Sequence, residues 1–344
     1  MATERQSPRR ARSFRFYAIY FVCLLLFSSI VAEVGARLTG HHPWIVKPTN
    51  IRVEPGGRLF QTNPTLGYTH LPGQFRIILD GVYVYTITNL SNTLRITHSL
   101  RTYPPPADKR EIWIFGDSIT YGQSVNDQET FAWLLQENFP AYEVVNFGVQ
   151  GYGTLHSLIQ SREALQKGKS PRLVILTYAS WQDVRNTFIR GRRKMLAVAD
   201  YLGPVNQPYA RLMEDHKLDI AMDAVQYREF PLMRYSAFVN ALEETYDRFE
   251  ERHANSHEVT KAIVKEMVEL CKSHGIEMVV LSLTSDPLSA DMLRYCQTES
   301  IKTSNIWVDL SKNENNNLPY DSHPNANAHR QYAEKLELFL RDIL

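Results

Sequence analysis

The segment Glu111-Ile-Trp-Ile-Phe-Gly-Asp-Ser-Ile-Thr-Tyr-Gly122 decides how the rest of the chain is read. Residues 112–115 are uninterruptedly apolar, the pattern of a short strand buried on both faces of a parallel sheet. The run stops at Gly116, and Ser118 follows two residues later. A serine there stands at the carboxyl end of a strand, where open α/β sheets hold their ligands. The plain alternative for Ser118 is a helix N-cap. Far downstream, Tyr320-Asp-Ser-His-Pro-Asn325 supplies a carboxylate and an imidazole close together. Hydroxyl, imidazole and carboxylate are the groups that turn a neutral serine into a nucleophile.

Working outward, strand and helix signals alternate. Helices are expected at 128–138, 154–166, 259–273 and 326–344, and strands at 143–146, 172–178, 277–283 and 306–310. With the strand at 112–115 this makes a five-stranded parallel sheet with right-handed crossovers. The fold class is therefore α/β: a three-layer α/β/α sandwich of flavodoxin-like type. Between 184 and 252 the pattern loosens into an insertion carrying Arg190-Gly-Arg-Arg-Lys194 and a polar helix near 236–251. That basic run reads as solvated surface, and the insertion as a source of substrate selectivity.

Upstream, residues 38–110 are punctuated by Pro and Gly. Two β-branched and aromatic runs flank Asp80-Gly81, a hairpin signal with a type I′ turn, and 93–100 is a candidate third strand. Residues 37–107 are expected to form a stalk and small β-meander. Pro104-Pro105-Pro106 reads as a stiff linker to a catalytic domain at 108–344. Before the stalk, Arg5, Arg9, Arg10, Arg12 and Arg15 precede an uncharged run at 16–32. The expectation is a basic cytoplasmic tail at 1–15 and a single-pass transmembrane signal anchor at 16–36 in a bacterial inner membrane. The domain would then lie in the periplasm or outside the cell. A signal peptide cleaved near Val34-Gly35-Ala36 is the runner-up.

A formal net charge of +1, from 38 Lys and Arg against 37 Asp and Glu, excludes overall nucleic-acid-like basicity. Cys23, Cys271 and Cys296 form neither a disulfide framework nor a zinc pattern, though Cys271 and Cys296 leave a pairing open. Asp321, His323 and His329 lack a second cluster that would complete a metal site, and no cofactor is expected. His216 lies among charged residues and reads as solvated.

Three blocks carry a family resemblance. Gly116-Asp117-Ser118 with Ile119-Thr120-Tyr121-Gly122, Asn146-Phe-Gly148-Val-Gln-Gly151, and Asp321-Ser322-His323-Pro324-Asn325 together resemble the GDSL/SGNH hydrolase superfamily, its membrane-anchored bacterial members included. The resemblance covers most of 111–344. It implies a serine esterase with Ser118 as nucleophile, His323 as base and Asp321 as the group that orients the imidazole. Asp117 would support the turn, and His329 would pack or cap on the last helix. The backbone N–H groups of Ser118 and Gly151 are the candidate oxyanion donors, since glycine lets backbone approach substrate closely. The family has an asparagine donor after its third strand, where this chain has Gln182; Gln182 is the candidate third donor and Asn186 the spare. Implied substrates are carboxylic esters, such as O-acetyl groups on carbohydrates or lipid esters. An acyltransferase using the same site, or a non-catalytic surface or glycan-binding protein, are the alternatives.

Overall fold

The computed structural model describes residues 8–46, 50–100, 109–199 and 205–344. The expected polyproline linker at 104–106 and most of the basic tail lie outside the described residues or their described side chains. The chain opens with helix α1 (Pro8–Leu38) and strands β1 (Ile51–Glu54), β2 (Phe60–Asn63), β3 (Gly67–His70), β4 (Gly73–Leu79) and β5 (Tyr83–Asn89). Then come β6 (Arg110–Phe115), α2 (Ser118–Tyr121), α3 (Phe131–Asn138), β7 (Tyr142–Asn146), α4 (Thr154–Gln166) and β8 (Leu173–Tyr178). The insertion holds α5 (Asp183–Thr187), α6 (Arg190–Ala197), β9 (Asn206–Leu212), β10 (Leu218–Ala224) and α7 (Ala237–Ala254). The chain closes with α8 (Ser256–Ser273), β11 (Glu277–Ser282), α9 (Pro287–Thr298), β12 (Lys302–Asn305), β13 (Asn316–Asn317), β14 (Asp321–Pro324) and α10 (Ala326–Leu340).

Two compact units result. One comprises residues 1–47 with 228–249, and the other residues 48–227 with 250–344. In the first, α1 contains a 25-residue apolar stretch, Phe14–Leu38, with mean hydropathy 2.1 over its window and no part of that window buried. Its end is joined to the start of α7: Glu33 accepts hydrogen bonds from Ser236 Oγ (2.6 Å), Ala237 N–H (3.1 Å) and Phe238 N–H (3.0 Å). A carboxylate there satisfies N–H groups that the first helical turn leaves without partners.

The second unit is built on a parallel sheet of order β12-β11-β8-β6-β7. Successive side chains of a strand point to opposite faces. Trp113 and Phe115 of β6 accordingly join Leu155, Leu158, Val264 and Met267 on the α4–α8 face. Ile112 and Ile114 join Phe131, Leu135, Tyr332 and Leu336 on the α3–α10 face. Covered on both sides, the inner strands need uninterrupted apolar sequence, which is why β6 and β8 were readable. The strand order reverses between β6 and β8, so the crevice beyond their carboxyl ends is the topological switch point.

Three expectations change. The fifth strand is β12, not 306–310: β12 is polar and pairs only with β11, while Ile306 and Val308 drop into the core just after it. The segment 93–100 is not a strand and makes only isolated bridges through Arg95, to Asn89 and Asn146. The region from 50 to 100 is no stalk either. β4 pairs with β1 and β5, and its sheet packs Phe75, Ile77, Tyr85 and Ile87 against Tyr121 of α2. Asp80 and Gly81 both carry positive φ (51° and 71°), as a type I′ turn requires. Cys271 and Cys296 are free buried thiols, each pushed up to about 12 by burial.

Candidate active site

Ser118 begins α2 directly beyond β6. Gly116 precedes it because any Cβ there would collide with the Thr177 and Thr120 hydroxyls, which hydrogen-bond to each other. The Asp117 side chain caps α2, accepting the Ile119 N–H at 3.1 Å. Asn146 at the end of β7 donates from Nδ2 to Thr120 O (2.8 Å) and accepts the Gly148 N–H (2.9 Å). The short helix that carries the serine is thus fixed from both neighbouring strands.

The last block returns to the same place. β14 pairs with β13, and Asn325 caps α10 by accepting the Asn327 and Ala328 N–H groups. His323 Nε2 lies 2.9 Å from Ser118 Oγ, and His323 Nδ1 lies 2.6 Å from Asp321 Oδ1. Asp321 Oδ1 also accepts the His323 backbone N–H (3.1 Å). Its other oxygen accepts from Ser124 Oγ and from Gln123 Nε2, the latter at 3.1 Å. Burial alone would raise the Asp321 carboxyl, but the hydrogen bond and charge of His323 and the Ser124 hydroxyl outweigh it and hold it at about 2. A ring with Nδ1–H directed at Asp321 presents to the serine an Nε2 that can accept a proton.

Arg95, which the sequence reading did not single out, supports the loop that brings Ser124 to Asp321. Its guanidinium is buried and ion-pairs with Asp127 at 3.1 Å. It also donates to the carbonyls of Tyr121 (3.1 Å), Gly122 and Val125 (2.8 Å), and lies 4.8 Å from the Tyr121 ring centroid. Tyr83 Oη donates to Ser124 O at 2.6 Å, and Asn317 Nδ2 donates to the same oxygen at 3.1 Å.

Gly151 has φ +77°, and a Cβ on it would come within 2.6 Å of Tyr68 Oη. Among the described residues, neither its N–H nor that of Ser118 donates to another protein group. Gln182 and Asn186 both lie among protein partners. Gln182 Nε2 donates to Thr177 O (3.1 Å) and its Oε1 accepts from Thr154 Oγ1 (3.0 Å). Asn186 Nδ2 donates to Thr260 Oγ1 (2.9 Å) and its Oδ1 accepts the Leu155 N–H (2.9 Å). Both carboxamides are buried and engaged at both ends in tying elements together. What reaches the Ser118 turn from the segment after β8 is Trp181 Nε1, 2.6 Å from Asp117 Oδ2, and Arg185 Nη1, 3.0 Å from the same oxygen.

His329 and His216 lie elsewhere. His329 is buried on α10 and accepts the Phe131 N–H at the start of α3 (3.2 Å); burial holds it down at about 3, and neutral. His216 is exposed in the turn between β9 and β10. Among the described residues no group of three His, Cys, Asp or Glu side chains forms a metal cluster.

The sequence matches no protein-family model and no curated protein. Solved structures do resemble it. One is a member of the lipolytic protein G-D-S-L family from Veillonella parvula, 15% identical, covering 67% of this chain and 99% of its own, with TM-score 0.39. Another is the esterase EstA from a Pseudoalteromonas species, at 13% identity, 68% and 98% coverage and TM-score 0.39. A third is an acetyl xylan esterase from Geobacillus stearothermophilus, at 15% identity, 68% and 94% coverage and TM-score 0.36.

Proposed function

We propose that the chain is a serine ester hydrolase, held at a membrane by α1 and working on the far side from its basic N-terminus. The observation that carries the chemistry is the continuous hydrogen-bonded series Ser118–His323–Asp321 at the switch point of the sheet. Ser118 Oγ attacks the ester carbonyl while His323 Nε2 takes its proton; His323 then returns that proton to the departing alcohol. Asp321 keeps the ring oriented and stabilises the imidazolium. The Ser118 and Gly151 N–H groups receive the carbonyl oxygen as it becomes negative. Water then attacks the acyl-serine, with His323 again acting as base, and regenerates the free hydroxyl. Its substrate is a carboxylic ester, an O-acetylated carbohydrate or a lipid ester by the motif resemblance.

The uncharged run 16–32 of α1 spans about 26 Å at 1.5 Å per residue, at the lower limit for about 30 Å of hydrocarbon, and the helix extends it at both ends over Phe14–Leu38. The arginines before it support a cytoplasmic N-terminus, and with it the reading of a single-pass protein of a bacterial inner membrane with a periplasmic or extracellular domain.

Treatment of the full chain in detergent with a fluorophosphonate tests the reading. One adduct located on Ser118 by mass spectrometry is the expected result. A folded protein that acquires none would refute it. A separate expectation concerns Gln182→Ala, which removes partners of Thr177 O and Thr154 Oγ1. It should cost about 1–3 kcal/mol in denaturant unfolding and change kcat by less than about tenfold. A hundredfold fall in kcat at unchanged stability would restore Gln182 as an oxyanion donor.

A further inference from the structure

We propose that Arg185 is the positioning residue of the oxyanion site, an inference that rests on the hydrolase reading. With Gln182 and Asn186 engaged elsewhere, the donors assigned to that site are two backbone N–H groups on separate segments. Nothing covalent fixes their spacing. Arg185 Nη1 bridges the two segments: it donates to Asp117 Oδ2 (3.0 Å), next to Ser118, and to Tyr152 O (2.8 Å), next to Gly151.

Each end of the bridge controls a donor. Asp117 caps α2 through Ile119 N–H, so its position sets the direction of the Ser118 peptide. On the other side, Tyr68 Oη donates to Gln150 O at 2.7 Å. The Gln150 carbonyl and the Gly151 N–H belong to one planar trans peptide and point opposite ways, so that bond aims the N–H. Arg192 Nη2 holds the next carbonyl, Gly151 O, at 2.6 Å. These contacts orient the Gly151 peptide; Arg185 ties it to the nucleophile.

Charge adds a second reason. The Asp117 side chain is fully buried, whereas that of Arg185 is 15% exposed. Without the guanidinium, a buried carboxylate one residue from Ser118 would oppose the negative charge growing on the substrate oxygen. Arg185 therefore acts through Asp117 and Tyr152, on the transition state more than on substrate binding.

The test compares wild type, Arg185→Lys and Arg185→Gln as full chains in detergent. Turnover of p-nitrophenyl acetate is normalised to the enzyme fraction titrated by fluorophosphonate, which removes any folding loss. Arg185→Gln should lower kcat about hundredfold with KM within about threefold, and Arg185→Lys should recover part of that loss. An unchanged kcat in Arg185→Gln, or a rise in KM alone, overturns the inference while leaving the hydrolase intact. A wild type that neither turns over the ester nor takes the probe on Ser118 removes both readings together.

Discussion

Replacing Ser118 with alanine is expected to lower ester turnover about 10⁶-fold, replacing His323 with alanine by about as much, and replacing Asp321 with asparagine by about 10⁴-fold. The order follows from the bonds. In the proposed mechanism Ser118 and His323 make and break bonds to the substrate and the travelling proton, so either loss would disable the whole unit. Asp321 acts one step back, through the 2.6 Å contact with Nδ1, and an amide in its place lets the ring turn or adopt the wrong tautomer. Combining Ser118→Ala with His323→Ala should cost little more than either alone, because residues that act as one unit are not additive. Steady-state kinetics on a chromogenic ester measure all four variants. A sum of the single effects in the double variant would mean that the two residues work independently.

The same carboxylate has a signature in stability. Its folded value, about 2, is below the ordinary 3.8, so its contribution is fully present above about pH 4 and is lost as pH falls toward 2. The difference is worth about 2 kcal/mol. Asp321→Asn lacks this component. Its stability deficit relative to wild type should therefore shrink between pH 5 and pH 2 in urea unfolding. A deficit constant over that range would show that His323 and Ser124 do not favour the ionised form.

What the sequence revealed and what it hid divide along physical lines. Strands buried on both faces announce themselves by composition, so β6, β7, β8 and β11 were legible within a residue or two. The edge strand β12, none of whose residues is fully buried, carries Lys302, Ser304 and Asn305 and has no apolar signature. Ile306 and Val308 attracted the assignment because they are core residues, although not strand residues. Gly116, Ser118, Gly151, Asp321 and His323 stood out because turns and short blocks are local in sequence. Gln182 was placed by family pattern, and a carboxamide's direction depends on partners such as Thr154, 28 residues away. Arg95 and Arg185 left no local signal at all. Their partners are carbonyl oxygens and carboxylates brought near only by folding.

Arg95→Met is expected to destabilise the protein by about 3–5 kcal/mol, lowering the melting temperature by about 10 °C. Methionine keeps much of the side chain's length and apolar volume, so packing alone predicts a small effect. The loss comes from what the guanidinium satisfies: Asp127 Oδ1 and the carbonyls of Tyr121, Gly122 and Val125. Each buried acceptor left without a donor carries its own desolvation cost. Asp127 Oδ1 also accepts the Thr88 N–H at 3.0 Å, so the β5 end of the small sheet should loosen with it. Arg95→Lys should rescue little, because one ammonium cannot reach four acceptors in the directions of a planar guanidinium. The damage should extend to catalysis in the molecules that remain folded. The loop at 122–125 carries Ser124, whose hydroxyl holds Asp321, and Asp321 orients His323. Fluorophosphonate labelling below the melting transition should therefore slow in Arg95→Met, whereas an equally destabilising change in the α3–α10 core, such as Leu336→Ala, should leave the labelling rate of folded enzyme near wild type. Equal labelling rates in the two variants would confine Arg95 to stability and break the link between the small sheet and His323.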